Sequence, residues 1–200
     1  MTLTSCRLLL VVSFALTVAA CQSEDKGPQP RFVSSAPDAQ TATASPGAAL
    51  AAQNRTYFIE FRSRYALSYG HTYVVFGRAG KNGTMINPEV AGLHPASDSE
   101  VPYVVGHFVP VPAETGWSDG DLEEKYRSAS WRVMLNEPEY RQVVAKIRKL
   151  QATSPSWNAT FYNCNAFVGE IARSMGYKAP SKWLRPQQFI TTLREINTSQ

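Results

Sequence analysis

Residues 22–53 hold four prolines, at 28, 30, 37 and 46, in a background of Ala, Ser, Thr and Gln with few large apolar side chains. Such a stretch cannot bury enough apolar surface to offset its ordering entropy. It reads as a linker, so any core must come from the roughly 150 residues that follow. As a flexible coil it spans on the order of 30 Å root-mean-square, enough to hold a domain clear of whatever it is tethered to. Upstream, residues 8–20 form an apolar run behind Arg7, broken only by Ser13 and Thr17. The run is too short to cross a bilayer and fits the core of a signal peptide. One folded domain over residues 54–200 is the expectation.

The run ends in Val18-Ala19-Ala20-Cys21, which resembles the lipobox of bacterial lipoproteins. The resemblance implies a signal peptide over residues 1–20, acylation of Cys21, and a lipid-anchored linker over residues 21–53. The partner would be a membrane. Gln22 rather than Asp after the cysteine implies the outer membrane, with the domain facing the periplasm. Cys6 would then be lost and Cys21 acylated. Cys164 is left as the single thiol in an oxidising compartment, with no internal disulfide open to it.

The 44% hydrophobic and 18% charged content is that of an ordinary globular chain. A net charge of +4, or +3 once Arg7 is removed, is too small and too scattered for nucleic acid. The densest cationic run, Lys146, Arg148 and Lys149, reads as a solvated helix face. Three widely spaced histidines and one usable cysteine form no metal-ligand motif, and no glycine-rich phosphate loop is present. Neither metal nor cofactor is expected, and a monomer is. Trp117, Trp131, Trp157 and Trp183 read as core filling rather than as a groove.

Alternation at residues 57–62 predicts a half-buried strand. A second strand over residues 71–78 carries His71, Tyr73 and Val75 on one face. Gly80 and Asn82-Gly83 predict a hairpin into residues 84–87. Residues 88–127 are rich in Pro and Gly, and a strand is expected somewhere in residues 101–111. His94, between Leu93 and Pro95, reads as an exposed loop residue. Residues 128–135 alternate again. Asn136 and Glu139 predict a helix start, Asn163 caps the next helix, and a last one runs over about residues 186–196. Strands first and helices later point to an α+β fold, a small antiparallel sheet packed with helices.

Cys164 falls in the first turn of a predicted helix, in Tyr162-Asn163-Cys164-Asn165-Ala166-Phe167. The free amides and positive dipole end there favour a thiolate and can donate to an oxyanion. A nucleophile also needs a base. His71, heading a strand behind Tyr69-Gly70, is the best-placed imidazole.

Gly70-His71-Thr72-Tyr73-Val74-Val75-Phe76, followed by Asn163-Cys164-Asn165 at a helix start, resembles the circularly permuted papain-like group of the NlpC/P60 superfamily. That group has relatives among the lecithin:retinol acyltransferase-like proteins. The resemblance covers about residues 55–175 and implies a permuted papain-like architecture. It makes Cys164 the nucleophile, His71 the general base and the Cys164 amide an oxyanion donor. Asn163, Asn165 and Tyr73 would flank the substrate. A third polar residue would orient the histidine from a neighbouring strand, with His107, Glu89 and Asn87 as candidates. The implied activity is a cell-envelope cysteine amidase or peptidase, on peptidoglycan peptides first and lipid acyl groups second, or an acyltransferase. A noncatalytic, lipid-anchored envelope-binding module is the alternative.

Overall fold

The alternation at residues 57–62 becomes an inner strand of a four-stranded sheet. A computed structural model describes residues 55–66 and 69–199; the signal-peptide stretch, the lipobox with Cys21 and the whole proline-rich segment lie outside those residues. The elements in order are β1 (Tyr57–Arg64), β2 (His71–Ala79), β3 (Met85–Gly92), β4 (His94–Pro95), α1 (Val101–Val105), β5 (Val111–Glu114), β6 (Arg127–Leu135), α2 (Glu137–Thr153), β7 (Ser156–Trp157), α3 (Cys164–Ser174) and α4 (Pro186–Thr198). The large sheet runs β3-β2-β1-β6, with every pair antiparallel, and β4-β5-β7 form a small second one. The fold is α+β.

One face of the large sheet is the core. Ile59 and Phe61 from β1, Val74 and Phe76 from β2, and Trp131 from β6 pack under Ile147, Phe167, Ile171, Phe189 and Leu193 from the three long helices. Burial of this apolar surface, about 25 cal/mol per Å², is the dominant stabilising term. The helix ends follow their sequence signals. Asn136 and Glu139 form a reciprocal capping box on α2, and Pro186 opens α4 in its first turn.

The opposite face mixes a small apolar cluster of Phe58, Tyr73 and Val75 with buried charge. Glu60 and Arg62 are 2% and 1% exposed. Arg62 donates to Glu60 at 2.8 Å and to Glu124 at 3.0 Å, and Arg132 donates to Glu60 at 2.5 Å. Burial alone would raise the Glu60 pKa, but Arg62 and Arg132 outweigh it and hold the carboxyl below its ordinary value.

Two expectations for residues 88–127 are overturned. Residues 101–105 are helical, because Pro102 sits at the start of a helix, where its missing N–H costs nothing. The strand falls later, as β5. His94 is buried in β4, not exposed, because β4 pairs with β5 through His94 and Glu114. The cationic run on α2 is partly paired, with Lys146 on Glu170 at 3.1 Å and Arg148 on Glu89.

Candidate active site

Gly70 turns the chain into β2 at φ +82°. A Cβ there would come within 2.9 Å of the Arg64 carbonyl oxygen, so the dipeptide Gly70-His71 needs its glycine for both space and backbone. His71 then opens β2 opposite Arg64 of β1. Its ring stacks on Tyr73 at 5.6 Å and 15°. Tyr73 is anchored in turn, donating its hydroxyl to the Asp121 carbonyl at 2.6 Å, while Arg64 donates to the buried Asp121 carboxylate at 2.6 Å and to Ser118 at 3.0 Å. On the β3 side the imidazole lies against backbone. A Cβ on Gly92 would meet His71 Nε2 at 2.8 Å and the Tyr73 Cβ at 2.9 Å.

Cys164 is the first residue of α3. Asn163 caps the helix by accepting from the Ala166 amide at 3.0 Å, and its side-chain amide donates to the carbonyls of Ala159 and Lys182 at 3.0 and 3.2 Å. Asn165 donates to the carbonyls of Lys182 and Leu184 at 3.1 and 2.7 Å. It also accepts from the Thr72 hydroxyl at 3.0 Å. That last bond ties the helix start to the strand start: Thr72 follows His71, and Asn165 follows Cys164. A cavity of about 430 Å³ opens over the junction, with Arg64, His71, His94, Tyr103 and Cys164 in its wall.

The electrostatics run against one expectation. Burial pushes the Cys164 thiol above its ordinary pKa, and hydrogen bonding from Thr72 and from the backbone of Thr72, Asn165 and Cys164 offsets this only in part. The helix terminus therefore does not leave a resting thiolate. Burial also drives His71 well below its ordinary value, with the Arg64 cation and then His94 adding to the effect. Both groups rest neutral at pH 7.

Cys164 and His71 thus meet at one cavity, with Asn163 and Asn165 in its wall. The polar atoms of both asparagines are already engaged in building the loop, and Tyr73 is buried behind His71 with its hydroxyl taken. These three side chains hold the site rather than reach into it. His107 stands on the cavity wall near its opening, donating from Nδ1 to the Tyr103 carbonyl at 2.8 Å with its ring 5.9 Å from Tyr69. Glu89 is bridged to Arg148, and Asn87 is exposed towards the far end of the β2–β3 hairpin at φ +46°.

The histidine next to His71 is His94, edge-on at 5.8 Å between ring centroids. Its Nδ1 is 3.1 Å from the Pro95 carbonyl oxygen. A carbonyl only accepts, so Nδ1 carries the proton and Nε2 is left as an acceptor. The Nε2 atoms of His71 and His94 are both buried without a hydrogen-bond partner. The sequence signal for this was thin: a histidine flanked by Leu and Pro, with its burial decided by pairing to β5. Among the described residues, no three His, Cys, Asp or Glu gather as a metal would need. No family model, curated protein or solved structure matches the chain.

Proposed function

We propose that the domain is a permuted papain-like thiol hydrolase or acyltransferase of the cell envelope, held to a membrane through acylated Cys21. The observation that carries this reading is the convergence of Cys164 and His71 on one cavity, with Thr72 and Asn165 locking their two elements together. His71, kept neutral by burial and Arg64, is in the protonation state a general base needs at neutral pH, with its basicity lowered by the same causes.

Cys164 Sγ attacks the carbonyl carbon of an amide or ester while its proton passes to His71. The Cys164 amide at the helix start donates to the developing oxyanion. His71 returns the proton to the departing amine or alcohol, which leaves a thioester on Cys164. Water, or an acceptor hydroxyl or amine, then takes the acyl group with His71 again as base. Because both groups rest neutral, proton transfer accompanies attack, as in a serine hydrolase.

His94 is the candidate third residue. Its ring stands edge-on to His71 at 5.8 Å between centroids, and with Nδ1–H committed to Pro95 its unpartnered Nε2 is an acceptor beside the imidazole, without a hydrogen bond between the two rings. Peptidoglycan stem peptides and lipid acyl groups are the substrate classes to screen. Cys164→Ala should abolish turnover on whichever is cleaved, with an unchanged circular dichroism spectrum; retained turnover would end the proposal. The raised thiol pKa favours a second reading, a noncatalytic binding module, in which no substrate of either class is turned over.

A further inference from the structure

The surface around the mouth of the cavity is apolar beyond what the chemistry inside it requires. Tyr69, Val104 and Trp183 line the cavity yet are 67%, 63% and 63% exposed. Phe161 is 71% exposed and joins them through Lys182, which donates from Nζ to the Phe161 carbonyl at 2.7 Å and lies over the Trp183 ring at 5.3 Å. Single exposed apolar side chains are ordinary, but a cluster of them around an opening marks an interface.

Three features identify what covers it. Tyr and Trp beside a lysine are the side chains that settle at the headgroup level of a bilayer, rings inward and cation outward. At the mouth itself Lys182 offers its ammonium group to anionic headgroups, the local charge that such a lipid surface attracts. The proposed anchor, Cys21, also lies 34 positions before Arg55, and a proline-rich sequence of that length has an expected reach on the order of 30 Å. A linker of that reach would let the cavity mouth meet the membrane to which Cys21 is proposed to be anchored.

The geometry points to a lipid-docking surface: the rim formed by Tyr69, Val104, Phe161 and Trp183 seats in the headgroup–acyl boundary of an anionic bilayer, with Lys182 among the phosphates. The cavity then opens towards the acyl region. This is a statement about contact and not turnover, so it stands or falls separately from the role of Cys164.

Tryptophan fluorescence of the full chain on phosphatidylcholine–phosphatidylglycerol vesicles with brominated acyl chains tests it. The emission contributed by Trp183, isolated by difference from Trp183→Phe, should be quenched about twofold or more, as for a ring buried at the acyl boundary. Quenching should be lost in a Phe161→Ser, Val104→Ser double variant with an unchanged circular dichroism spectrum, and kept in Ile86→Ser, an exposed apolar residue on β3. Trp183 emission that stays unquenched while the chain floats with the vesicles would overturn the inference. So would a Trp183 shift that tracks protein concentration without lipid, because a second copy would then be the occupant.

Discussion

Gly92 faces Tyr73 across the β2–β3 pair, and its missing side chain is the space that the His71 ring occupies. Gly92→Ala should therefore push the imidazole off the cavity wall. We expect turnover to fall roughly tenfold to a hundredfold, the scale of a sub-ångström to 1 Å misplacement, with about 1–3 kcal/mol of stability lost to overpacking. Turnover rates paired with urea unfolding would separate the two effects. His71 also makes acid stability predictable. Its folded pKa lies well below 6.5, so below about pH 6.5 the unfolded chain binds a proton that the native state refuses. Native stability should fall as pH drops through that value, and His71→Gln should flatten this part of the stability–pH curve. His71 and Cys164 were legible because local signals mark them, a glycine turn into a strand and an asparagine-capped helix start. His94 was not, since nothing beside it in the chain says that β5 will cover it.

Elements with a strong period or a cap formed where the sequence put them: β1, β2, the β2–β3 hairpin, β6 and the three long helices. Residues 101–105 misled because valines flank a tyrosine there, a strand-like composition, while Pro102 suits the first turn of a helix equally well. Tertiary contact decided between them: Gly106, at the end of α1, lies so close to the Trp157 ring that no side chain fits. The far face of the sheet was equally hidden, since Glu60 and Arg62 alternate as a solvated pair would. Instead they are buried beneath Glu124, Arg127 and Arg132. Glu60→Gln removes the carboxylate that neutralises them, and we expect a loss of about 3 kcal/mol, the cost of breaking a buried pair. Chemical denaturation at pH 7 measures it. The native Glu60 contribution should fade as pH falls through the depressed folded pKa, below its usual value near 4.5.

On the scale of the molecule, chain order and site assembly are one fact. His71 arrives on an early strand and Cys164 on a late helix, and the hydrogen bond between Thr72 and Asn165 spans the 93 positions between them. Among the described residues no helix is long and apolar enough to cross a membrane. The central claim is that Cys164 and His71 act as one unit, and it is tested most directly by intact-mass measurement of acyl transfer from a p-nitrophenyl ester. At pH 7 the acyl group should appear on Cys164, and its rate of appearance should fall by about a hundredfold or more in His71→Ala, the contribution of a positioned general base. Acylation of Cys164 at the same rate in His71→Ala, rising with pH only as the thiol ionises, would contradict the account.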